Sequence, residues 1–63
     1  MSQWLLVSRA RKGLPWAPAI HGDLEASTFA DRESALDTAN AMLQLTGWEP
    51  AEWAAIPLKE YVS

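Results

Sequence analysis

Apolar positions recur along this chain at two different spacings, and the change of spacing divides it into elements. Ala35, Leu36, Ala39, Met42, Leu43 and Thr46 return every three or four residues. At 100° per residue they fall in a stripe about 120° wide, the width of one packed helix face. Asp37, Thr38, Ala41 and Gln44 cover the other side. Asp31 stands where an N-cap belongs, and Arg32-Glu33-Ser34 opens the first turn with an acid near the positive end of the helix dipole. Gly47 can take a left-handed backbone just past the last turn, with Trp48 placed to fold back on Leu43. The spacing predicts a helix over residues 32–46.

Before the helix the pattern shortens to a period of two. Gln3-Trp4-Leu5-Leu6-Val7-Ser8-Arg9-Ala10 reads as a strand followed by the turn Arg11-Lys12-Gly13. Alternation puts Trp4, Leu6 and Ser8 on one face and Leu5, Val7 and Arg9 on the other. Both faces are partly apolar, as a central strand requires, so Trp4 is expected to be buried. Trp16 to Ile20 is a second strand, and Pro15 and Pro18 confine it to an edge or a bulge because each lacks a ladder donor. His21-Gly22-Asp23 is a turn, and Glu25 to Phe29 a third short strand.

After the helix, Glu49-Pro50-Ala51-Glu52 forms a tight turn or a single helical turn. Trp53 to Leu58 is extended, since Pro57 disfavours helix at Ile56. Lys59 to Val62 ends as a short strand or turn. The expectation is an α+β fold in one small domain spanning 1–63. It has a three- to four-stranded antiparallel sheet with one helix, in the order β-β-β-α-β.

Composition narrows the chemistry. With 63 residues the chain holds one domain and a small core. Hydrophobic residues at 49% and charged residues at 21% are the proportions of a globular protein, not a disordered one. There is no cysteine, so neither a disulfide framework nor a thiolate metal site is available. No apolar run approaches the length of a membrane span, and no basic region precedes an apolar stretch as in a signal peptide. A cytoplasmic protein without membrane association is expected.

Charge is segregated. Residues 1–22 carry Arg9, Arg11 and Lys12 and no acid, whereas residues 23–63 carry all eight acids against Arg32 and Lys59. An acidic lobe repels phosphate, which argues against direct nucleic-acid binding. It suits a protein partner with a basic surface.

Candidate catalytic chemistry is sparse. One histidine, His21, cannot build a zinc site without cysteines. The three glycines are too far apart to cradle a phosphate, and no nucleophile elbow is present. Little room is expected for a pocket of about 300 Å³. No enzyme activity and no cofactor are expected.

Candidate binding residues come from the large and charged side chains. Trp4, Trp16, Trp48 and Trp53 are many for so short a chain. A small core needs large side chains, which accounts best for Trp4 and Trp48. Trp16, between two prolines, and Trp53, after an acidic turn, are candidate interface anchors. Glu49 and Glu52 flank Pro50 beside Trp53. Asp23 and Glu25 alternate on one face of the third strand. Leu45 points about 180° from Leu36, so the packed helix stripe does not explain it.

The stretch from Ser27 to Ala41, with its Thr28, the acidic cap Asp31, Glu33, Ala35-Leu36 and Ala39, resembles the strand-to-helix step of HicB-type βββα antitoxins. The glycine-rich central-strand motif of those antitoxins is absent, and their function is not carried over. In size, acidity, lack of cysteine and Trp and Ala content the chain resembles small phage or mobile-element products, among them anti-CRISPR and other anti-defence inhibitors. That resemblance implies a single acidic domain that acts by binding. The leading expectation is therefore a non-enzymatic protein-binding inhibitor or adaptor. The alternatives are a structural or oligomeric subunit, since a small core favours self-association, and a small nucleic-acid module using Arg9, Arg11, Lys12 and Trp16.

Overall fold

The computed structural model describes residues 3–62. Its elements follow the order β1 (Trp4–Arg9), β2 (Ala17–Pro18), β3 (Thr28–Phe29), α1 (Arg32–Leu45), β4 (Glu52–Pro57) and α2 (Leu58–Val62). This is an α+β fold with a four-stranded antiparallel sheet, and the expected β-β-β-α-β order is observed. It adds one short helix, α2.

β1 is the strand on which the sheet is built. On one side it pairs with β4 along its whole length, from Trp4↔Pro57 to Arg9↔Glu52. On the other side its two halves take different partners. Val7 and Ser8 pair with β2, and Trp4 and Leu5 pair with β3. Leu5, Leu6 and Val7 are consecutive and all 0% exposed, so both faces of this strand are covered. That is why its sequence is a continuous apolar run rather than an alternating one.

Leu6 joins the two short strands into one interrupted lane. Its carbonyl accepts from the Ala19 N–H at 2.9 Å, and its N–H donates to the Ser27 carbonyl at 2.9 Å. Ala19 and Ser27 thus meet at one residue of β1, and the segment between them loops out as a compact Ω-type excursion. Within it, His21 and Gly22 both take left-handed backbone, with φ of 53° and 69°. Ser27, 0% exposed, pins the loop: its hydroxyl accepts from the Ile20 N–H at 2.9 Å and donates to the Asp23 carbonyl at 2.8 Å.

The hydrogen-bonding phase of β4 follows from one contact. Leu58 N–H donates to Gln3 C=O at 2.9 Å. Bonded pairs alternate in an antiparallel ladder, so Ile56, Ala54 and Glu52 bond towards β1. Trp53 and Ala55 turn their N–H and C=O groups outward. β1 is the strand to which β4 pairs, which leaves that outer edge open among the described residues.

α1 lies across the sheet, against β1, β3 and β4. It starts as its sequence indicates: Asp31 has extended backbone and its carboxylate accepts from the Ser34 N–H at 2.7 Å. It ends one residue before the predicted limit, with Thr46 as the C-cap and Gly47 left-handed at φ 71°. Of the predicted stripe only Ala35 and Ala39 are fully buried; Leu36, Met42 and Leu43 are half-buried and Thr46 is exposed. Alanines on the contact line let the helix axis approach the sheet, and the larger side chains splay along its flanks. Trp4, expected to be buried, is half-buried.

The strand boundaries differ from the sequence expectation at several places. The first strand is trimmed to Trp4–Arg9, and β4 is Glu52–Pro57, so Glu52, expected in a turn, opens the strand and Leu58, expected extended, opens α2. The second strand, expected over 16–20, is reduced to Ala17–Pro18, because the chain leaves the ladder at Ala19 to enter the loop. The third, expected over 25–29, is reduced to Thr28–Phe29. Asp23 and Glu25 therefore do not alternate on a strand. Asp23 instead caps a turn, its carboxylate accepting from the N–H groups of Glu25 and Ala26 at 3.0 and 3.4 Å. The segment 59–62, expected as strand or turn, is part of α2. No helix among the described residues is long and apolar enough to cross a membrane.

Candidate functional site

The segments just described enclose an open groove of about 440 Å³, larger than the sequence led us to expect. Ala19, Ile20 and His21 form one wall, where the chain leaves the β2 lane. Thr38, Met42 and Thr46 form the other, one helix turn apart on α1. Trp48 closes an end. The lining is mostly apolar, and its ring and thioether offer contact to an inserted side chain. Leu45 lies on the same side of α1 as Thr38 and Met42 at 100° per residue. It is 83% exposed, the most exposed large apolar side chain in the described chain.

The segments that line the groove also carry charge. The loop that supplies Ile20 and His21 continues to Asp23 and Glu25, both exposed. Trp48 is followed by exposed Glu49. Leu24, at the tip of the loop, is 40% exposed. Four of the residues singled out in the sequence, Asp23, Glu25, Leu45 and Glu49, thus belong to segments that line one depression.

The other three do not form a surface with them. Glu52 faces Arg9 across the β1–β4 ladder and pairs with it. The Arg9 Nε donates to the Glu52 carboxylate at 2.6 Å, and another guanidinium nitrogen donates to the Leu14 carbonyl at 3.2 Å. The guanidinium also lies over the Trp16 ring, 4.2 Å from its centroid. Trp16, Arg9 and Glu52 therefore form an internal brace that ties the first turn to β4. Trp53 follows Glu52 in sequence but points to the opposite face of the strand. There its ring meets Trp48 at a centroid distance of 6.2 Å, tilted by 49°. The ring contact of Trp48 is thus with Trp53, across the gap between helix end and sheet, and Trp53 backs the residue that ends the groove.

This arrangement changes the electrostatics read from the sequence. Of the three N-terminal cations, Arg9 is neutralised within the fold, while Arg11 and Lys12 are exposed. Asp31 holds its carboxyl below the ordinary value because it accepts hydrogen bonds from Ser34, which favour the charged form. Among the described residues no three of His, Asp and Glu converge to hold a metal ion.

Sequence reasoning missed Ser27 and the groove itself. Ser27 carries no signal, being one small polar residue among others; its importance comes from the two chain segments that Leu6 brings together. Comparison with family models, with curated proteins and with solved structures finds no match for this chain.

Proposed function

We propose that the chain is a non-enzymatic protein-binding inhibitor or adaptor. Its apolar groove receives an anchor side chain of the partner, and the carboxylates on the surrounding segments engage a basic surface. The observation that carries this reading is the convergence of Ile20, Met42 and Trp48 in one groove, with Leu45 left exposed beside it and Asp23, Glu25 and Glu49 on the flanking segments. An apolar centre ringed by charge is the usual plan of an interface, where the centre holds and the rim steers. The partner class it suits is a protein whose basic cleft ordinarily receives nucleic-acid phosphates. An inhibitor of a nucleic-acid-dependent defence system in the cytoplasm would need this kind of surface.

The nucleic-acid-module alternative loses support from the brace. It relied on Arg9 and Trp16 as a contact face, and these two side chains are committed to each other and to Glu52.

The test uses the tagged full chain to capture a protein from the source cell, followed by affinity measurements on the purified pair. Reversing Asp23, Glu25 and Glu49 to lysine is expected to weaken binding at least about tenfold at low salt, mostly through the association rate. Leu45→Ser or Met42→Arg is expected to raise the dissociation rate. Partner binding unchanged in both sets would overturn the reading, as would capture of nucleic acid in place of protein.

A further inference from the structure

Arg9 shows how this chain holds a guanidinium. The group lies 4.2 Å from the centroid of the Trp16 ring, pairs with the Glu52 carboxylate and donates to the Leu14 carbonyl at 3.2 Å. One cation thus takes up an indole, a carboxylate and a backbone carbonyl.

The end of the groove closed by Trp48 has the same kinds of group and no cation to use them. None of the residues lining the groove is lysine or arginine. Trp48 is half-buried, so its indole keeps surface open to the groove, and exposed Glu49 follows it directly. α1 ends at Leu45, just before Thr46 and Trp48, and has no basic residue in its last turn. Among the described residues no backbone N–H donates to the carbonyls of Leu43, Gln44 or Leu45. A helix end of this kind carries partial negative charge and favours a cation. The Thr46 hydroxyl spends its proton on the Met42 carbonyl at 2.7 Å, so towards a ligand it is an acceptor.

We infer that the side chain received by the groove is an arginine of the partner protein. The inference rests on the groove being the binding surface and adds the chemistry of the anchor. The aliphatic stem lies against Ile20 and Met42, and the guanidinium lies at the Trp48 end with acceptors for its N–H groups. Charge favours a cation over an apolar side chain, since the segments continuing from the groove bear Asp23, Glu25 and Glu49. Shape favours arginine over lysine. A planar guanidinium stacks on an indole while its N–H donors bond in the plane, and it sheds water more readily than an ammonium.

The experiment is a nuclear magnetic resonance titration of the isotope-labelled full chain with a blocked glycyl-arginyl-glycine peptide. Its lysine and norleucine counterparts are titrated alongside. The Trp48 indole N–H and the Met42 methyl are expected to shift saturably with the arginine peptide, at an affinity at least about tenfold above either counterpart. Trp48→Leu is expected to remove that preference over norleucine, and Glu49→Gln to weaken the arginine peptide while leaving norleucine unchanged. The three peptides on the unaltered chain decide the matter if Trp48→Leu fails to fold. Lysine or norleucine binding as tightly as arginine overturns the inference, as do shifts confined to the loop around Asp23 and Glu25. Absence of any shift at the groove also overturns it. Loss of the captured partner on Met42→Arg, in any of these cases, leaves the groove standing as the binding surface with an anchor of different chemistry.

Discussion

Glu49 and Glu52 lie three positions apart in the sequence and look interchangeable, yet their side chains have different surroundings. Glu52 is 30% exposed and holds Arg9, while Glu49 is in open solvent. Glu52→Lys would remove the partner of Arg9 and set a like charge directly across the ladder. It is expected to destabilise the domain by about 2–3 kcal/mol, whereas Glu49→Lys should change stability by less than about 0.5 kcal/mol. Urea denaturation of the two variants measures the contrast, and equal effects would mean the brace contributes nothing. Ser27 offers a second single-residue test. Ser27→Ala leaves the Ile20 N–H without its acceptor and removes the tie to the Asp23 carbonyl, so the loop is loosened within itself while its backbone bonds to Leu6 remain. A loss of about 1–3 kcal/mol is expected in urea denaturation, and unchanged stability would show that the hydroxyl does not pin the loop.

At the scale of elements, legibility in the sequence depended on length. The helix was readable to within a residue because cap, stripe and C-terminal glycine agree over many positions. β1 and β4 were readable because each is a long apolar run bounded by turn residues. β2, β3 and α2 were not, since pieces of two to five residues show no period, and a single backbone contact at Leu6 decides where the edge lane breaks. Half of the candidate site was legible for the same reason. Charge and exposure can be read from composition, but the grouping of Asp23 with Glu49 depends on where the loop lands. Burial was misjudged in a specific way. The stripe leucines were expected to be the core, and the core is Leu5, Leu6, Val7, Ala35 and Ala39. Leu6→Ala is therefore expected to cost about 2–5 kcal/mol, and Leu36→Ala clearly less, in thermal or chemical denaturation. The helix cap adds a pH dependence. Asp31 has a depressed pKa in the folded state, so its contribution is complete above its unfolded value and is lost as pH falls through the folded one. Asp31→Asn keeps an acceptor for Ser34 without titrating. The acid limb of the melting-temperature profile should flatten in this variant, and an unchanged limb would show that the cap does not contribute.

At the scale of the whole molecule, the fold is thin, 16 Å across its shortest extent, and every strand is held by β1. Removing residues 52–62 would bare one side of β1 together with Leu5 and Val7. The truncated chain is expected to show no cooperative thermal transition by circular dichroism, and a retained one would mean that the β2–β3 lane and α1 suffice. The same pairing has a consequence during synthesis. Arg9 and Glu52 are separated by 43 positions. At about 5–20 residues per second, the ribosome leaves several seconds between making β1 and making the strand that completes it. For that interval Leu5, Leu6 and Val7 form a bare apolar strand with one side unpaired. Exposure to aggregation in the cell is then governed by the pace of translation and the supply of chaperones, and a stabilising substitution in the finished fold would do nothing to shorten it.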